Sequence, residues 1–400
     1  MTKTGINAVP GFRANGVHCG LKRKRRDMAL IVSDRVTSAA AVFTQNAFAA
    51  APVLLSKRRI KAGDVRAIVV NSGNANACTG TRGAKDAEEM TVLAARALGL
   101  KPEQVMVAST GIIGRPLDME KIRTGITECA GGLDTATGDE VAEAITTTDA
   151  YTKQAERSVE VEGRTFHVAG IAKGAGMIHP NMATMLGFVV TDAPVAEDHF
   201  QALLAETVDE TFNMISVDGD ESTNDMVAAF ANGAEGGALV APGTPEWHAL
   251  SDAFRAVCTD LAKMIPTDGE GATHLIEVVV EGAASVADAR AAARAVSSSN
   301  LVKAAVYGGD PNWGRIVAAL GQTEVAIDPA SVSITFDGAE GGATVLDKGE
   351  PTGALKDAAR AFATKEMRIR IDLASGDASA TAWGSDLTEA YVRFNSAYST

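Results

Sequence analysis

The sequence predicts a mixed α/β fold (α/β or α+β) on three observations. Short runs of β-branched residues alternate with longer stretches of helical periodicity. The 400 residues exceed what one hydrophobic core ordinarily fills, so two or three packed units are expected. Hydrophobic residues at 46% against 22% charged supply enough apolar area to offset ordering entropy, which excludes a disordered chain. In chain order, residues 28–33 (MALIVS), 66–71 (RAIVVN) and 104–109 (QVMVAS) read as buried strands. Between the last two, residues 85–98 place Ala and Leu at helical spacing, with acidic residues early and Gly99 as a stop. Behind Pro194, the residues Phe200, Leu203, Leu204 and Val208 form one apolar face, which makes 195–212 a helix. Residues 246–264 and 285–299 pass the same test. Residues 274–281 (HLIEVVVE), 331–336 (SVSITF) and 366–373 (EMRIRIDL) read as strands, the last two alternating as half-buried strands do. Two glycine-rich connectors, 232–243 and 337–353, share the word GAEGG, which two similar turns explain better than a repeat.

The charge balance narrows the function classes. The net charge is −13, the wrong sign for a surface that neutralises phosphates, so nucleic acid is not an expected partner. One basic run, 22–26 (KRKRR), stands against the trend and reads as a solvated turn. Cys19, Cys78, Cys129 and Cys258 are far apart, with no CxxC and no zinc spacing, so reduced, mostly buried thiols and no metal are expected. No apolar run approaches the ~18 residues that span a bilayer, and residues 1–10 lack a signal-peptide pattern. The expected address is the cytoplasm, with no membrane partner.

Several local patterns fail on inspection. Asp218-Gly-Asp220-Glu-Ser222 begins like a calcium loop, but Thr223 stands where the sixth position needs glycine. The glycines of 170–176 fit neither the Walker spacing nor the dinucleotide fingerprint, which counts against a phosphate- or nucleotide-binding module. Cys258 lies on a helix and reads as a packing residue. The six histidines form no triad pattern with a serine.

The chemistry concentrates in residues 168–192 (VAGIAKGAGMIHPNMATMLGFVVTD), where two strand-like runs flank Lys173, several glycines, His179, Pro180, Asn181 and Thr184. On residue types alone this is a strand–loop–strand connection whose glycines permit tight turning. The stretch 173–186 nevertheless closely resembles the self-cleaving junction of the ornithine acetyltransferase family, also called the glutamate N-acetyltransferase or arginine-biosynthesis bifunctional family. Further blocks resemble that family in the same order: 71–80 (NSGNANACTG), 109–114 (STGIIG), 146–149 (TTTD), 218–225 (DGDESTND), 309–315 (GDPNWGR) and 395–400 (NSAYST). The resemblance covers essentially the whole chain.

The resemblance implies a four-layer α/β/β/α sandwich over residues 1–282 with self-processing N-terminal-nucleophile chemistry, and a smaller C-terminal α/β unit over 283–400. It implies cleavage between Ala183 and Thr184, giving chains of 183 and 217 residues. The new N-terminus would carry a hydroxyl and a free amine on one residue. An α-amine has an ordinary pKa of ~7.7–8.0, so near neutrality part of it is free to accept the hydroxyl proton. In the intact chain that nitrogen is an amide and no base. By resemblance, Thr184 is the nucleophile, Thr110 and Gly111 hold the oxyanion from a loop after the strand 104–109, and Thr147, Lys173, Thr184, Glu270, Asn395 and Thr400 bind substrate. Lys173 would neutralise a substrate carboxylate, Thr147 and Asn395 would donate neutral hydrogen bonds, and Glu270 would answer an ammonium group. The implied reaction moves acetyl from N2-acetylornithine to glutamate, without cofactor or metal, in an assembly of two copies of each cleaved chain. Acetyl-CoA as a second donor stays open, with acetylornithine expected to be the efficient one. A related aminopeptidase, in which water resolves the acyl-enzyme, is the alternative enzyme class.

Overall fold

The computed structural model describes residues 3–179 and 185–397. The first part of the chain forms β1 (Phe12–Val17), β2 (Met28–Ser33), β3 (Ser38–Phe43), α1 (Ala51–Ala62) and β4 (Ala67–Asn74). Next come α2 (Gly80–Leu98), β5 (Val105–Ile112), α3 (Met119–Gly131), α4 (Asp139–Ala144), β6 (Lys153–Val161) and β7 (Arg164–Lys173). Beyond residue 184 lie β8 (Leu186–Thr191), α5 (Glu197–Glu210), β9 (Ile215–Ser216), β10 (Met226–Ala231) and α6 (Pro245–Thr267). The last part holds β11 (Leu275–Ala283), α7 (Val286–Ser298), α8 (Asn300–Tyr307), α9 (Trp313–Leu320), β12 (Ser333–Gly338) and β13 (Ala343–Asp347). It ends with β14 (Glu350–Pro351), α10 (Leu355–Ala358), β15 (Glu366–Asp372), β16 (Ala378–Ser385) and α11 (Glu389–Ala397).

The four-layer sandwich follows from the period of two along the strands. In β2, Ala29 and Ile31 pack between two sheets while Met28, Leu30 and Val32 face helices. The same alternation runs through Ile68 and Val70 against Ala67 and Val69, and through Met106 and Ala108 against Val105 and Val107. The first sheet has the order β1-β2-β4-β5 and its outer face is covered by α2 and α3. The second has the order β3-β10-β8-β7-β6. Its inner face offers Ile171, Phe188 and Phe230, and its outer face packs Val168, Val189 and Val227 against α5 and α6. Strands buried on both faces read as continuous apolar runs, and each fully buried Phe, Leu or Ile contributes roughly 1.5–3 kcal/mol.

A third sheet, β14-β13-β12-β15-β11-β16-β9, carries the C-terminal unit with α7 on one face. It takes β9 and β11 from residues before 283, and its core is continuous with that of α6. Helix starts obey local chemistry. The Thr244 hydroxyl accepts from Trp247 N–H at 3.2 Å with Pro245 beside it, and Ser285 accepts from Asp288 N–H at 3.1 Å. Among the described residues, no helix is long and apolar enough to cross a membrane.

The expected elements are all present, with one displacement that matters. The strand read as 104–109 runs on to Ile112, so Thr110 and Gly111 lie near its end within the strand and not in a loop after it.

Candidate active site

A cavity of about 320 Å³ opens where the ends of β5 and β7, the start of β8 and the helix α11 converge. Such a volume suits a small metabolite. Thr110, Gly111, Thr147, Lys173, Glu270 and Asn395 all line it. Ala183, Thr184 and Thr400 lie outside the described residues; Met185 and Leu186, which follow Thr184 in sequence, line the cavity.

One wall is the paired end of β4 and β5. These strands run parallel, with Ser72 opposite Thr110 and Gly73 opposite Gly111, and the register slips at Asn74. Gly111 has φ +131° there, and a Cβ on it would fall on the Gly73 carbonyl carbon and the Asn74 amide nitrogen. Only glycine suits both the torsion and the space. Asn224 braces this wall by donating to the carbonyls of Ala75 at 2.6 Å and Ser109 at 2.8 Å.

The floor is Lys173, the last residue of β7, paired with Leu186 of β8. Its ammonium donates to Thr110 Oγ1 at 3.1 Å, which joins floor to wall. Burial lowers the Lys173 pKa, and the nearby carboxylates of Asp149, Asp225 and Glu270 pull it back up. Beneath lies Asp149, which accepts from Lys153 Nζ at 2.8 Å, from Thr147 N–H at 2.9 Å and from Gly174 N–H at 2.8 Å. Burial alone would raise its pKa, but the Lys153 and Lys173 charges and these bonds hold it well below the ordinary range. Lys153 also reaches Asp268 at 2.6 Å. One carboxylate therefore ties the Thr147 loop to the turn after Lys173.

That turn, residues 174–178, passes beneath Glu270. Gly176 permits this, since a Cβ there would meet the Glu270 carboxylate at 2.5 Å. The roof is α11. Asn395 Nδ2 donates to Glu270 Oε2 at 2.9 Å and Tyr391 Oη donates to Asp218 Oδ2 at 3.2 Å.

Several site residues escaped the sequence analysis. Asp149 and Asp218 fall in family-like blocks that assign them no role, and Asp218 reads in the sequence only as the start of a broken calcium loop. Tyr391 carried no signal at all. The basic run 22–26 is a bend with residues 23–25 exposed, as expected, but it also contacts the site: Lys22 Nζ donates to Thr146 O at 2.8 Å and Arg25 Nη1 to Asp149 O at 2.5 Å, beside Thr147. Burial pushes the Lys22 pKa down to about 8. The turn is organised by Asp27, whose carboxylate accepts from the N–H groups of Cys19, Gly20 and Lys22.

Wall, floor and roof together bring the Thr110–Gly111 backbone, a buried lysine, and carboxylate and amide groups to one cavity. That set suits stabilising an oxyanion while holding a charged amino-acid derivative. Comparison with known proteins points the same way. A family model described as the ArgJ family matches residues 13–400. An arginine biosynthesis bifunctional protein ArgJ of Symbiobacterium thermophilum is 49% identical over 400 residues, covering 99% of this chain and 98% of the relative. The protein of the same name from Bacillus subtilis is 44% identical over 397 residues, covering 99% and 96%. A crystal structure of arginine biosynthesis bifunctional protein ArgJ from Bacillus halodurans is 41% identical with a TM-score of 0.50, over 53% of this chain and 98% of that one.

Proposed function

The chain belongs to the ArgJ family of arginine-biosynthesis acyltransferases, and from that premise we propose that it moves acetyl from N2-acetylornithine to glutamate through an acetyl-Thr184 intermediate. The observation that carries this is the convergence of Thr110, Gly111, Thr147, Lys173, Glu270 and Asn395 on one cavity.

Cleavage at Ala183–Thr184 frees the threonine amine. Thr184 Oγ then attacks the acetyl carbonyl, its own amine takes the hydroxyl proton, and the Thr110–Gly111 wall receives the oxyanion. Ornithine leaves with that proton, glutamate enters, and its amine takes the acetyl group, restoring the hydroxyl. Lys173 answers the α-carboxylate common to both substrates, and Glu270, held by Asn395, answers an amino group. The double displacement predicts ping-pong kinetics. The solved Bacillus halodurans chain, nearly all of it matched, corresponds to 53% of this one, about the share of a 217-residue fragment, and supports processing. We place the enzyme in the cytoplasm as two copies of each fragment.

Denaturing electrophoresis with N-terminal sequencing tests the reading. Fragments of 183 and 217 residues are expected, the second beginning Thr-Met-Leu-Gly, with Thr184→Ala uncut and inactive. An active preparation consisting of one uncut 41.3 kDa species overturns it.

A second donor has one observation in its favour, the word bifunctional in the relatives' names. Against it, a cavity of about 320 Å³ holds an N-acetyl amino acid, while the body of acetyl-CoA must lie outside. Acetylornithine is therefore the efficient donor in this reading. N-acetylglutamate formation from acetyl-CoA within about tenfold in kcat/KM, a ~1.4 kcal/mol difference in barrier, makes the enzyme bifunctional.

A further inference from the structure

The turn at residues 174–178 has no helix or strand of its own, so its shape comes from outside. Gly174 N–H donates to Asp149, and Ala175 O accepts from Glu270 N–H at 2.8 Å. Met177 N–H and Ile178 N–H then both point at Asp218, reaching Oδ2 at 2.6 Å and Oδ1 at 2.8 Å. Between these anchors Met177 has φ +56°, the left-handed region that a Cβ disfavours and glycine does not. A residue held in that region persists only where its surroundings over-determine it. Here the Asp218 carboxylate makes the two bonds at the kink itself, and Val217 N–H donates to Ile178 O at 2.7 Å just beyond it. Its Oδ2 also accepts from Tyr391 of α11, so one carboxylate joins the turn to the roof.

We propose that Asp218 is a positioning residue for acyl transfer: it holds the left-handed kink at Met177, which sets how the chain leaves Ile178 toward the Ala183–Thr184 bond, and it sets α11 over the cavity through Tyr391. The inference rests on the acyl-threonine reading above. A carboxylate is needed because two consecutive N–H donors arrive on its two oxygens. An amide has one acceptor oxygen and would turn its own NH2 against the other donor. That leaves a partly buried N–H unpaired.

The test follows the appearance of the two fragments over time, and kcat and KM of the cut enzyme, in wild type, Asp218→Asn, Asp218→Asn with Met177→Gly, and Tyr391→Phe. Asp218→Asn is expected to slow cleavage at least tenfold and to raise KM. Adding Met177→Gly recovers about fivefold in cleavage, because glycine adopts the kink without the carboxylate. Tyr391→Phe cuts only the roof arm, so it raises KM at least threefold and slows cleavage much less than Asp218→Asn. Asp218→Asn cleaving and binding like wild type overturns the proposal. So does a loss that Met177→Gly does not recover while Tm falls in both variants, which marks a merely structural role. If Asp218→Asn does not fold, Tyr391→Phe with unchanged KM overturns the roof arm. A wild-type chain that stays whole while active overturns the acyl-threonine reading instead, which separates the two failures.

Discussion

The wall of the cavity at Thr110–Gly111 lies within two hydrogen-bonded strands, whereas its roof, α11, has no buried residue and rests on side-chain hydrogen bonds from Tyr391 and Asn395. The wall cannot move without breaking the β4–β5 pairing and the Asn224 brace. The roof can lift at the cost of a few part-buried hydrogen bonds, and segments of that kind occupy the low-stability end of a fold. Preorganised donors belong on the rigid side, because they act only if they need no reorganisation during reaction. Capture and release of substrate belong on the loose side. Wall variants should therefore change kcat, and roof variants KM.

Beneath both lies Asp149, and its loss should have the largest effect. Asp149→Asn leaves Lys153 and Lys173 buried with one fewer anion, and breaking such a buried pair costs roughly 3–5 kcal/mol. The pH dependence has a definite sign. Asp149 is held below the ordinary carboxylate pKa of about 3.9, so its contribution is complete above that value and is lost as pH falls toward the lower folded value. The gap in urea stability between wild type and Asp149→Asn should be constant from pH 7 to 5 and narrow below pH 4. A gap that widens in acid would show that the carboxylate is not stabilised as described.

Next is the wall itself. Gly111→Ala places a Cβ on the backbone of Gly73 and Asn74 at a torsion that disfavours it, so the wall must shift. Kcat should fall about 10²–10³-fold, the loss typical of a misplaced oxyanion donor. Thr110→Ala is milder, because it removes a hydroxyl bonded to Lys173 and leaves the backbone in place. Roughly tenfold to a hundredfold lower kcat with little change in KM is expected, and a rise in KM at unchanged kcat would move Thr110 to ground-state binding.

The same division governs what the amino-acid sequence could reveal. The turn after Lys173 was legible because its unusual residues are contiguous, and strands such as MALIVS were legible because β-branched runs have few other uses. The strands β3 (SAAAVF) and β10 (MVAAFA) were not, since alanine at these close-packed positions carries no β signal and favours helix in isolation. Asp149 and Asp218 act by accepting backbone N–H groups from distant segments, a role that residue type does not announce. Lys22 shows the reverse failure, a surface-like charge run whose first member is half-buried and hydrogen-bonded to the Thr147 loop. The helix α11 has no apolar face toward a core, so the periodicity that marks other helices is missing there.

Asn395→Ala should have the smallest effect and is the sharpest test of the contrast. Its side chain donates to Glu270 Oε2 at 2.9 Å and to Tyr391 O at 3.2 Å, so its loss frees one oxygen of Glu270 and loosens one end of the roof. Both consequences exist before and during the reaction, so they weaken ground state and transition state together. KM should rise about tenfold, equivalent to ~1.4 kcal/mol, with kcat within twofold of wild type. Asn395→Asp would add like-charge repulsion against Glu270 and should raise KM further. Steady-state kinetics on fully cut enzyme separate the outcomes. A fall in kcat at constant KM for Asn395→Ala would place α11 among the preorganised parts and break the division between wall and roof.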